Sequence, residues 1–118
     1  MNRIKVEVLK SRAALEAFAK TWRSVEANED VTPRLAFATL HELFSALTEK
    51  RLELLRCVAS DEELNTHQVA QKLGRNYKNV NTDVAALVEL GLLEKTGQGT
   101  LRAPFDEIVI HAGIRDAA

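Results

Sequence analysis

The spacing of hydrophobic positions changes several times along the chain. Ile4, Val6 and Val8 alternate with Lys5 and Glu7, the two-residue repeat of a half-buried strand over Arg3 to Leu9. From Arg12 the repeat lengthens. Leu15, Phe18, Trp22 and Val25 recur at helical spacing, which predicts a helix capped by Ser11 and running to about Asn28. Glu29 to Pro33 breaks that pattern. Arg34 to Ala38 reads as a short extended piece, and Thr39 caps a helix with Leu40, Leu43, Phe44 and Leu47 on its inner face. Thr48 caps the next helix, Glu49 to about Ala59. Its expected buried side is Leu52, Leu55, Cys57, Val58 and Ala59, with Arg51 and Arg56 in water.

The strongest local signals lie between Asn65 and Arg102. Asn65 and Gln68 have the spacing of a capping box, in which each side chain satisfies a backbone N–H near the other. Val69, Ala70 and Leu73 form a narrow apolar stripe, and small Ala70 lets a second helix cross closely. Gly74 is placed to stop the helix with a positive φ. Asn76 caps the next helix, whose Val80, Val84 and Leu87 share one face; Leu90 ends it before Gly91. Leu92-Leu93 is expected to open a strand, Thr96 to Thr100 to form a tip, and Leu101 to Ala103 to return. Pro104 interrupts the ladder. Phe105 to His111 predicts a last strand, added to the N-terminal strand within the chain or across a dimer.

Helix, turn, helix and two short strands in that order are the parts of a winged helix-turn-helix. The expected fold class is therefore α+β: a winged helix-turn-helix with an N-terminal strand-helix-strand extension. The expected division is 1–47 for the extension, 48–103 for the winged unit and 104–118 for a terminal strand and tail.

At ~100° per residue, Lys78, Asn79, Thr82, Ala85 and Ala86 point away from Val80. Arg75, Asn76 and Tyr77 lie at the leading end of that face. Lys and Asn suit base edges, Thr can hydrogen-bond a base or touch a thymine methyl, and paired alanines permit close approach. Asp83 interrupts this face and is expected to pair with a neighbour or to exclude some bases.

Charge tempers the picture. The formal net charge of −1 excludes a polycation. From Leu64 to Ala103, five basic residues stand against three acidic ones, a weak attraction for nucleic acid that favours binding as a dimer. The single cysteine, Cys57, excludes an internal disulfide and fits a reducing compartment. No apolar run or signal-peptide pattern points to a membrane, so a cytoplasmic protein is expected. His41, His67 and His111 are far apart and show no metal-ligand spacing. No nucleophile motif or phosphate cradle stands out; neither enzyme activity nor a cofactor is expected.

The run V-A-Q-K-L-G-R-N-Y-K-N-V, followed by A-L-V-E-L-G-L-L-E, resembles the DNA-binding half of MarR-type winged-helix regulators. With N-R-I-K-V-E-V-L, P-R-L-A-F and K-R-L-E-L-L-R, nearly the whole chain resembles small prokaryotic MarR-like regulators of antitoxin type. That resemblance implies a DNA-binding repressor, in some cases encoded beside a small toxin that it neutralises. The chain shows no helical pattern after Arg102, where MarR-type proteins carry the helices of a dimer and an effector pocket, so no such pocket is expected.

The expected function is sequence-specific binding of double-stranded DNA by a homodimer. Asn76, Tyr77, Lys78, Asn79 and Thr82 would read bases; Thr66, His67, Arg75, Lys95 and Arg102 would contact the backbone. Leu15, Phe18, Trp22 and Val25 are candidates for the dimer or partner contact, or for the chain's own core. The alternative is a winged helix that docks another protein without touching DNA.

Overall fold

A computed structural model describes residues 2–9, 32–61 and 63–113. These residues form an α+β fold with four helices and five strands. The predicted helix bearing Leu15, Phe18, Trp22 and Val25 lies outside the described residues. The chain divides into two units, residues 3–45 with 107–118, and residues 46–106.

The first unit is built on a three-stranded sheet. β1 (Arg3–Val8) lies between β2 (Arg34–Phe37) and β5 (Glu107–His111), and both pairings are parallel. The last strand therefore joins the first within one chain. The register aligns Val6 with Leu35 and Ile110, and Ile4 with Ile108, so one face is apolar. The other carries Arg3, Lys5 and Glu7 beside Glu107, Val109 and His111. Ile4 and Val6 are buried, as their alternation required. Glu7 departs from expectation: it too is buried, held by Arg34 Nη1 at 3.3 Å and Lys5 Nζ at 3.6 Å. A parallel sheet is commonly covered on both faces, and a carboxylate on the second face then needs such partners.

Helix α1 (Leu40–Ala46) opens on a Thr39 side-chain cap, with Glu42 holding the residue before it. Thr39 Oγ1 accepts from the Glu42 N–H, and the Glu42 carboxylate accepts from the Ala38 N–H. Leu43 is buried, but Phe44, expected inward, is 61% exposed. It lies one residue, ~100°, around the helix from Leu43, and a seven-residue helix has room for one narrow buried stripe.

The second unit contains α2 (Glu49–Ser60), α3 (Thr66–Leu73), α4 (Tyr77–Glu89) and a hairpin of β3 (Glu94–Lys95) and β4 (Leu101–Arg102). Its core is Leu54, Leu55 and Val58 from α2, Val69 and Ala70 from α3, Val80, Val84 and Leu87 from α4, and Leu92, Leu93 and Leu101. The buried side of α2 is thus turned from the expected one. Leu54 is buried, Ala59 is exposed, Leu52 and Cys57 are half-buried, and Arg51 is drawn in.

Leu92 and Leu93 are buried but precede β3 rather than opening it. Their N–H groups donate to Leu87 O, at 3.0 and 3.3 Å, and close the end of α4 instead of starting the ladder. β4 also joins the segment before α3: Leu101 N donates to Leu64 O at 2.8 Å, and Thr100 bridges Asn65.

Candidate nucleic-acid interface

Local chemistry positions α3 and α4. Asn65 accepts from Gln68 N at 2.9 Å, and Gln68 Oε1 accepts from Asn65 N at 2.8 Å, the reciprocal cap that their spacing predicts. Gly74, at φ 63°, ends α3. Arg75 N then donates to Ala70 O and Gly74 N to Gln71 O, so the last carbonyls are satisfied. Asn76 caps α4 by accepting from Lys78 N at 2.8 Å. Gly91, at φ 79°, permits the same closure at the other end, from Leu92 N to Leu87 O and from Gly91 N to Val88 O.

These caps fix the rotation of α4 against the core. Val80, Val84 and Leu87 are buried, while Lys78, Asn79, Thr82 and Ala85 are exposed. Thr82 Oγ1 donates to Lys78 O at 3.0 Å, which uses its proton. Asn76 is exposed with its amide oxygen engaged in the cap. Tyr77, 42% exposed, stacks on His67 with ring centroids 3.9 Å apart and planes 7° from parallel. Three of the sequence-derived base-reading residues, Lys78, Asn79 and Thr82, therefore share one free face, and Asn76 and Tyr77 bound its leading end.

Asp83 has the partners expected of it, and they are more specific than expected. Its Oδ1 accepts from Arg51 Nε at 3.0 Å, and its Oδ2 from Arg75 Nη2 at 2.8 Å. Arg51 also donates from Nη1 to Ala46 O at 2.9 Å. Burial alone would raise the Asp83 carboxyl, but the hydrogen bonds from Arg75 and Arg51 and their charges outweigh it and hold the carboxyl below its usual range. Asp83 is thus ionised and matched by two guanidiniums, while Glu49, at the start of α2, is an exposed carboxylate near the same face.

Two of the expected backbone contacts change as a result. The Arg75 side chain is only 16% exposed and bound to Asp83, with Nη1 buried and unpaired, so it is a brace between segments rather than a free cation. Thr66 is 6% exposed, its side chain turned inward at the first position of α3. His67, Lys95 and Arg102 remain exposed, although Arg102 lies 3.7 Å from Glu94 across the hairpin. The hairpin tip is closed by Thr96 and Thr100, whose hydroxyls are 2.7 Å apart, and by Gly99 at φ 84°.

One part of this surface was not anticipated. A recess of about 510 Å³ is lined by the start of α2, Thr48 to Arg51, and by Arg75, Asn79, Thr82 and Asp83. It brings Lys50 and the capped N-terminus of α2 beside the exposed face of α4. The sequence offered one pointer to this, an Asp among outward residues of α4 in need of a partner. Among the described residues no three His, Cys, Asp or Glu side chains gather into a metal site, and no helix is long and apolar enough to cross a membrane.

A family model described as HVO_A0114 matches residues 46–110, a span that takes in all of α2, α3, α4 and the hairpin. No curated protein matches the chain, and no solved structure does.

Proposed function

The chain belongs to the HVO_A0114 family, and from that premise we propose that the matched segment is a winged helix-turn-helix that binds double-stranded DNA sequence-specifically, as a repressor of a nearby promoter. The observation that carries this reading is the division of α4: Val80, Val84 and Leu87 are buried while Lys78, Asn79 and Thr82 stand free. In this reading α4 enters the major groove, where Lys78 and Asn79 meet base edges and Thr82 a thymine methyl. His67, Lys95, Arg102 and Lys50 supply phosphate contacts, and the tip from Gly97 to Thr100 follows the backbone as a wing. The brace from Asp83 to Arg51 and Arg75 supports the reading by cancelling the carboxylate that would otherwise repel phosphate. The MarR-like pattern of the same residues supports it as well, and the antitoxin role implied by that pattern remains a proposal within it.

The small charge surplus predicts moderate affinity per protomer, and the phosphate contacts predict that binding weakens as salt rises. The test is a gel shift with the DNA upstream of the protein's own gene, at two salt concentrations. The expected result is a sequence-dependent complex that weakens as salt rises. Lys78→Ala and Asn79→Ala should each cost about 1–3 kcal/mol of specific binding. An unchanged footprint in the double variant sinks the assignment, and a chain that shifts no DNA at low salt points to a protein-docking module instead.

A further inference from the structure

β5 is an edge of its sheet: among the described residues it pairs with β1 on one side and with no strand on the other. Edge strands in stable monomers are usually blunted by Pro, Lys, a bulge or brevity. β5, with the sequence E-I-V-I-H, has five residues, no Pro or Lys, and one charged side chain, Glu107, at its start, paired with Arg3. Val109 and Ile110 are 37% and 45% exposed, one on each face of the sheet. The other edge strand, β2, is shorter, follows Pro33, and its residues are half-buried.

The sequence of β5 is also complementary to itself in the antiparallel direction. A two-fold axis at Val109 sets Val109 against its copy, Ile108 against Ile110 of the other protomer, and Glu107 against its His111. Opposed residues in an antiparallel pair share a face. Ile110 would then extend the apolar face that already holds Ile4, Val6 and Ile108, while both ends of the pair place an acid beside an imidazole. A shift of register by one residue loses this match, because it moves each side chain to the opposite face.

We infer that β5 pairs antiparallel with β5 of a second copy of this chain about an axis through Val109, joining two three-stranded sheets into one of six strands. The occupant is a second copy because the edge presents a carboxylate opposite an imidazole, and matched apolar groups, to its own image. A five-residue pairing falls well short of the ~1,200 Å² of a standard stable interface, so the dimer dissociates on dilution. This inference does not depend on DNA binding.

Sedimentation of the full chain without DNA, across a hundredfold concentration range, tests it. Wild type should pass from monomer to dimer. Val109→Lys, which sets two ammonium groups face to face on the axis, should stay monomeric at every concentration. In a Cys57→Ser background, Val109→Cys should cross-link to a dimer under mild oxidation, since the two Cβ atoms would be ~5 Å apart. Ala112→Cys should not, because its copies would lie six steps apart along the strands, ~20 Å at ~3.4 Å per residue. A wild-type chain that is monomeric throughout overturns the inference. So does a dimer that survives Val109→Lys, or cross-linking through position 112 in place of 109.

Discussion

The helical unit and the sheet unit satisfy their backbones in different ways. Each of the three helices of the helical unit starts on a side-chain cap, at Thr48, Asn65 and Asn76. α3 and α4 end on glycine closures. Their polar ends are met by residues a few positions away in sequence. The sheet has no such local remedy. Its central strand is paired on both sides, but among the described residues the outer edge of β5 has no strand against it. A helix can be finished from within its own sequence, whereas a sheet passes its unfinished edge to a neighbour.

Three substitutions probe the helical side of this contrast, and none should alter the β5 edge. The largest effect is expected from Leu87→Ala. Leu87 is fully buried in α4, and its truncation should lower stability by about 2–5 kcal/mol in urea unfolding. A loss below about 1 kcal/mol would mean that the core is not closed around α4. Next comes Asp83→Asn, which removes the charge holding Arg51 and Arg75. These side chains are 15–18% exposed, so the expected loss is about 2 kcal/mol, near the value of hydrogen bonds to charged groups.

The Asp83 carboxyl also sets a pH dependence. Its folded-state pKa lies below the unfolded value of ~3.9. Its contribution is therefore fully present above that value and fades as pH falls through the lower folded one. Wild type should lose stability below about pH 4, and Asp83→Asn should lack that component of the acid slope. The smallest effect is expected from Asn65→Ala. It removes one half of the capping box, costs about 1 kcal/mol, and should fray the first turn of α3 in amide exchange. Protection there equal to wild type would show that the hairpin, not the cap, holds that end.

Features set by short-range rules were legible in the sequence. The pairing of Asn65 with Gln68, the stop at Gly74, the cap at Asn76 and the inward stripe at Val80, Val84 and Leu87 each follow from residues within one or two helical turns. Features that depend on a distant partner were not. Arg51 was placed in water because its own helix suggested so, yet its partner Asp83 lies 32 residues on. Glu7 fitted an outward position in an alternating strand, and Arg34, from the neighbouring strand, makes its burial tolerable. Phe44 sits in a helix of only seven residues, where one step around the axis separates buried from exposed. The candidate surface divides along the same line. The free face of α4 followed from helical periodicity, while the inward turn of Thr66, the engagement of Arg75 and the approach of Lys50 required knowing which segments meet.

The stack of His67 on Tyr77 gives the molecule a built-in reporter. Tyr77 is the only tyrosine in the chain, and its ring lies against an imidazole at the tip of α4. Its aromatic proton resonances will therefore register the arrival of a ligand at the tip, with no label attached.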